Sequence, residues 1–162
     1  MDGERYIGVA LDYSPSSRYA LKWSIKNVLR ENDHLIIVVV NKDNLLEGGQ
    51  PALWEASGTP LIPLQEAENI IYQQNYQLTI DEELKTVLHE AVARVQIVVV
   101  FKVYWGDAKE KLCSSVVDVP LDYLVMGCRG LSSIKRAFMG SVSNYVVNNV
   151  PCPVTIVKLP PS

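Results

Sequence analysis

Tyr123-Leu124-Val125-Met126-Gly127-Cys128-Arg129-Gly130-Leu131-Ser132-Ser133-Ile134-Lys135-Arg136-Ala137-Phe138-Met139-Gly140-Ser141 is the stretch on which the reading of this chain turns. Its first four residues form an apolar run that predicts a buried strand. Downstream, Val142, Tyr145, Val146 and Val150 fall on one face of a helix. A strand therefore feeds a glycine-punctuated loop, and the loop feeds a helix N-terminus. That design suits an anion: glycines let the backbone come close, and helix N–H groups point outward. Arg129, Lys135 and Arg136 add positive charge.

The glycine spacing is Gly127, two residues, Gly130, nine residues, Gly140, then Ser141. It is neither the Walker A spacing nor the dinucleotide Gly-x-Gly-x-x-Gly. Taken one at a time, Gly127 and Gly130 could merely make a turn, and Gly140-Ser141 could merely start a helix. The whole spacing, placed directly after a buried strand, favours a ligand.

Working back to the start, Tyr6-Ile7-Gly8-Val9-Ala10-Leu11 predicts a first strand ending at Asp12. Ser14 and Pro15 mark a helix start as N-cap and first helical residue. Leu21, Ile25, Val28 and Leu29 form that helix's apolar stripe, and Glu31-Asn32-Asp33 ends it. The run 34–40 predicts a second strand, so strand, helix and strand make a parallel unit with a right-handed crossover. Residues 42–65 break the pattern with two Gly/Pro clusters, and Trp54 is expected to anchor this segment on the domain's own surface rather than cover a ligand. Residues 66–94 read as helical, broken near 75–78, with a stripe at Leu84, Val87, Leu88, Ala91 and Val92. A third strand is expected over Val95 to Tyr104. Asp107-Ala108-Lys109-Glu110 opens the next helix, and Asp118-Val119-Pro120 stops it. Tyr123 to Met126 is the fourth strand and Pro153 to Lys158 the fifth. Five strands alternating with helices predict an α/β, doubly wound parallel sheet in one domain, 1–162.

The 162 residues carry 18 acids against 15 bases, a net charge of −3, which implies no broad basic face and no nucleic-acid partner. No export signal and no bilayer-length apolar run is legible, so no membrane is expected. Cys113, Cys128 and Cys152 lack metal-ligand or redox spacing, which suggests reduced thiols in the cytosol or nucleus. Cys128 reads as a small loop residue. No catalytic or metal-ligating set is legible; His34 and His89 have no persuasive partner.

The glycine spacing resembles the Gly-x2-Gly-x9-Gly-Ser/Thr loop of ATP-binding universal stress proteins. Residues 8–14, 20–23, 58–64, 103–107 and 151–158 resemble the plant single-domain, UspA-like branch of that family. The resemblance implies an adenine nucleotide alpha hydrolase-like fold with strand order 3-2-1-4-5. It implies a nucleotide site at Ala10, Leu11, Asp12, Val40, Met126, Gly127, Arg129, Gly130, Gly140, Ser141, Val142 and Ser143. Asp12 would line the adenine and ribose end, and Val40, as the last residue of strand two, would offer backbone groups to the base. Gly127 and Gly130 would meet ribose and phosphate, and Gly140 to Ser143 would hold the phosphates. Asp12 could equally cap the turn before the first helix, and Ser141 and Ser143 could be N-caps. A side chain at Gly140 is expected to obstruct phosphate and to strain the backbone.

The ligand implied is ATP, AMP or ADP, with Mg²⁺ accompanying the phosphates. The partner implied is a second copy, docked through Val154, Thr155, Ile156 and Val157 of the fifth strand. The leading function is a nucleotide-dependent stress-response module. The alternatives are a slow ATPase or phosphotransferase, and an interaction protein that binds no nucleotide. Without a Walker A lysine, a Walker B pattern or an evident base, ATP should be bound far better than it is hydrolysed.

Overall fold

The computed structural model describes residues 3–42, 54, 56–128 and 140–161. Its elements are β1 (Tyr6–Ala10), α1 (Pro15–Asn27), β2 (His34–Asn41), β3 (Ile62–Pro63), α2 (Leu64–Ala67), α3 (Ile70–Tyr76), α4 (Glu82–Val95), β4 (Val98–Trp105), α5 (Ala108–Asp118), β5 (Tyr123–Cys128), α6 (Ser141–Asn149) and β6 (Val154–Lys158). Among the described residues the sheet has six strands in the order β3-β4-β2-β1-β5-β6. β4, β2, β1, β5 and β6 run parallel, in the expected 3-2-1-4-5 arrangement. The two-residue β3 was not legible in the sequence. It pairs antiparallel with Val100 and Phe101 at the edge.

The strands are apolar on both faces because helices cover both. Leu35, Ile37 and Val39 of β2 pack with Ala20 and Leu21 of α1 and with Leu84, Leu88 and Ala91 of α4. The alternate residues Ile36 and Val38 pack with Leu112 and Val116 of α5 and Val146 of α6. This period-two division is what a sheet clad on both sides requires.

Helix starts follow the expected chemistry. The Ser14 side chain accepts from Ser17 N–H, Pro15 fills the first turn, and Asp107 caps α5. Several boundaries differ, and two of the differences show a clear cause. The third strand begins at Val98 rather than Val95, because α4 runs through Val95 and Gln96 closes it in a left-handed conformation, φ 64°. No glycine marks that cap, and the apolar run passes across it unbroken. The helical stretch after residue 65 is interrupted twice. Asn69 caps α3, accepting from Ile71 N–H at 2.9 Å, while Gln77 ends it at φ 53°.

Asp33, expected to be a polar helix stop, is instead 3% exposed. Its carboxylate forms an ion pair with Arg5, accepting from Arg5 Nε at 2.9 Å, and also accepts from Arg30 N–H at 2.7 Å. Arg5 donates further to Val28 O at 2.9 Å. One buried carboxylate thus ties the entry to β1, the end of α1 and the entry to β2. Asp33→Ala leaves these donors without their acceptor and should destabilise the fold by about 2–3 kcal/mol. Urea unfolding followed by circular dichroism measures it.

Candidate functional site

β1 lies between β2 and β5. From β1 the chain crosses through α1 on one face, and from β5 it crosses through α6 on the other. The connections therefore part at the carboxyl ends of β1 and β5, which opens a crevice at a topological switch point.

Asp12 follows β1 at this point and is solvent-exposed. Its Oδ1 accepts from Ser14 N–H at 3.0 Å and from the Ser14 hydroxyl. Asp12 thus does the turn work anticipated for it, and the turn fixes where its carboxylate sits. Tyr13 adopts φ 65°, a conformation rarely held by a bulky side chain. Two contacts hold it there, and an ion pair fixes the arginine that makes one of them. Thr79 N–H donates to the Tyr13 hydroxyl at 3.1 Å, Arg18 Nε donates to Tyr13 O at 3.0 Å, and Arg18 grips both oxygens of Asp81. The Arg18 hydrogen bond lowers the Asp81 pKa, and burial raises that of Tyr13. The sequence reading missed Tyr13, Arg18 and Asp81. The adjacency of Arg18 to the Ser14 cap was the available signal.

Val40 is half-buried in β2, but the strand continues one residue further, to Asn41. Asn41 O accepts from Gly106 N–H at 2.9 Å, and Asn41 Nδ2 donates to Gln77 O at 3.0 Å. Leu11 and Met126 are 2% and 4% exposed, so their side chains belong to the core and any role at the crevice is a backbone one. Ala10 is half-buried.

The two described glycines of the loop differ in kind. Gly127 is inside β5, opposite Val157. A Cβ there would lie 2.5 Å from Ser16 O and 2.6 Å from Ser16 C. Its missing side chain lets the first turn of α1 press onto the strand. Gly140 is the N-cap of α6 at φ −65° and ψ 163°, ordinary extended backbone, and a Cβ would meet nothing within 4 Å. The expected strain at Gly140 is therefore absent. Ser141 and Ser143 do not take the alternative role of N-caps; they are the first and third residues of the helix, which no side chain caps. Ser141 is exposed, Val142 half-buried and Ser143 buried. Cys128, expected inside the loop, is the buried last residue of β5. Arg129 and Gly130, with Lys135 and Arg136, lie outside the described residues.

Trp54 stacks on Trp105 at 5.8 Å and meets Tyr76 at 5.3 Å, so it anchors on the domain's own surface. A groove of about 510 Å³ runs along α6 from Ser141 and Val142 to Asn149, with Asp107 and Lys109 on its other wall. Lys109 Nζ donates to Asp107 at 2.8 Å. Among the described residues there is no cluster of acids, histidines and cysteines fit for a metal ion, and no helix is long and apolar enough to cross a membrane.

Comparison with known proteins assigns this architecture. The model of the universal stress protein family matches residues 5–158. The chain belongs to the universal stress protein family. Among family members, it is 29% identical over 170 residues to universal stress protein PHOS34 of Arabidopsis thaliana, covering 96% of this chain and 62% of that protein. It is 27% identical over 164 residues to PHOS32 of the same plant, covering 96% of this chain and 65% of that protein. The chain thus spans somewhat less than two thirds of these relatives. Solved family structures share the fold. An Arabidopsis thaliana family protein with AMP bound aligns at TM-score 0.59 and 18% identity, over 96% of this chain and 92% of its own. A universal stress protein in complex with cAMP aligns at TM-score 0.59 and 20% identity, over 97% and 98%.

The two glycines should part company on substitution. Gly127→Ala sets a methyl against helix backbone that cannot swing aside, and should destabilise the protein by about 3 kcal/mol. Gly140→Ala, with open space and an allowed backbone, should cost no more than about 1 kcal/mol, the preference of an N-cap for glycine over alanine. Thermal unfolding of both variants checks this.

Proposed function

We propose that this chain is an adenine-nucleotide-binding universal stress protein that acts as a nucleotide-dependent stress-response module. The observation that carries the reading is the crevice itself. An oriented carboxylate, Asp12, follows β1, and α6, the helix that follows β5, starts at Gly140 without a side-chain cap. The carboxylate suits a ribose hydroxyl or an exocyclic amine, and the helix start suits phosphate. Two fold relatives are described with AMP and with cAMP, which supports the same ligand class.

In this reading Asp12 holds the nucleoside end and the backbone of Val40, with that of Ala10 and Leu11, flanks the base. Met126, Gly127, Arg129 and Gly130 follow the ribose and first phosphate, and Gly140, Ser141, Val142 and Ser143 take the remaining phosphates. ATP with Mg²⁺ is the form this arrangement would hold most fully. Among the described residues the other acids placed at this edge are engaged: Asp81 pairs with Arg18, and Asp107 caps α5 and accepts from Lys109, a hydrogen bond that lowers its pKa. That leaves no base assigned to an attacking water, so turnover should fall well below the roughly 1–100 s⁻¹ of kinases.

Isothermal titration with AMP, ADP and ATP, with and without Mg²⁺, tests the site. Gly140→Val, which the fold should tolerate, should weaken ATP binding at least about tenfold, equivalent to about 1.4 kcal/mol. Unchanged affinity in that folded variant would remove the helix start from the site.

We also propose a homodimer through β6. This strand ends the sheet, and Val154, Thr155 and Ile156 are only half-buried. An uncovered apolar edge invites pairing, and a two-fold axis closes the contact. Multi-angle light scattering should show a dimer for the parent chain and a monomer for Ile156→Lys. A parent chain that is monomeric at every concentration ends the idea.

A further inference from the structure

On the far half of the sheet, β4 carries a lysine in its interior. Lys102 is 7% exposed and points to the same face as Tyr104. Its Nζ donates to Thr59 O at 2.5 Å and lies 5.2 Å from the centroid of the Tyr104 ring. Among the described residues no carboxylate is close enough to form an ion pair with it. Asp118, at the end of α5, is instead engaged by the Tyr104 hydroxyl, which donates to it at 2.8 Å. The amine borders an open cavity of about 420 Å³, lined by Trp54, Gly58, Thr59, Pro60, Lys102 and Asp118.

The wall over the amine is built, not incidental. Thr59 is fully buried; its N–H donates to Val103 O at 2.9 Å, and its Oγ1 accepts from Val103 N–H at 3.0 Å. Gly58 at φ 71° packs so tightly on the Tyr104 ring that a Cβ would fall 2.8 Å from it. The segment 56–60 contains no ionisable side chain. Among the described residues, the groups that face the amine and can titrate are Tyr104 of β4 and Asp118 of α5.

We propose that Lys102 is a nucleophilic amine that forms an imine with small neutral aldehydes admitted to this cavity. Burial lowers the pKa of the amine, and the charge of Asp118 offsets only part of that. Burial also raises the pKa of Tyr104, so its hydroxyl remains a donor to Asp118. A desolvated lysine in a partly apolar pocket is the standard way to obtain a neutral, reactive amine near neutral pH. The Nζ lone pair adds to the carbonyl carbon while a proton moves from nitrogen to oxygen, giving a carbinolamine. The carbon–oxygen bond then breaks, water leaves, and the carbon–nitrogen double bond forms. Water reverses both steps, so no oxidant or reductant is needed. The indole of Trp54 and the ring of Pro60 suit an apolar substituent. The Asp118 carboxylate disfavours an anionic one. In the sheet, β2 lies between β4 and the crevice at β1 and β5.

The full chain is incubated with propanal or with glyoxylate in the presence of sodium cyanoborohydride, which traps the imine as a secondary amine. Labelled lysines are then mapped by mass spectrometry between pH 6 and 10. At pH 7 propanal should label Lys102 roughly tenfold faster than the exposed Lys22, the rate at Lys102 should reach half its maximum at lower pH, and glyoxylate should label Lys102 more slowly than propanal does. Because the parent chain is used, folding of a variant is not at issue. Labelling of Lys102 no faster than of Lys22 at pH 7 overturns the proposal.

Discussion

The backbone of α1 comes close to the backbone of β5 at Gly127, and the placement of the site depends on that approach. Ser16 O sits where a side chain on Gly127 would be. Because the helix comes this close, its buried residues are mostly small, Ser16, Ser17, Ala20 and Ser24 beside Leu21. Ser24 donates its hydroxyl to Ala20 O at 2.7 Å, so no polar group is left unsatisfied by the burial. The same approach carries the Asp12–Ser14 turn to the mouth of β1. Gly127 therefore serves the nucleotide reading through packing, by placing the wall opposite, as much as through its own backbone.

A second set of contacts makes the carboxyl edge of the sheet rigid. Gln77, left-handed at the end of α3, accepts on its backbone oxygen from Asn41 and on its side chain from Trp105 Nε1 at 2.6 Å. One residue thus joins the ends of β2 and β4. Arg18 and Asp81 join the start of α1 to the start of α4 in the same way. Part of this pair is solvent-exposed, so its contribution is positional more than energetic. Together these contacts fix the Asp12 turn and the end of β2, the two places from which a nucleoside would be read.

The two halves of the sheet carry different chemistry. Around β1 and β5 the groups are backbone, hydroxyls and one exposed carboxylate, suited to a polar ligand exchanging with water. Around β4 an amine is held away from water and short of an ion pair. In the first case solvation is kept and geometry selects the ligand. In the second, loss of solvation changes the reactivity of the group itself.

Strand and helix alternation, burial on both strand faces, the Ser14-Pro15 and Asp107 helix starts, and the glycine spacing were all legible in the residues alone. These are local patterns, set by neighbours a few positions apart, and periodicity or capping chemistry reports them directly. The family resemblance added the strand order that local patterns could not supply. Tertiary structure alone decided that Gly127 is a packing glycine and Gly140 an open one, that Asp33 is a buried anchor, and that Ile62 and Pro63 add an edge strand. It also decided that Lys102 is buried against Thr59, a contact between residues 43 positions apart. Whether a side chain meets backbone, a partner or empty space depends on what the fold brings from elsewhere in the chain, and no spacing within a short window encodes that.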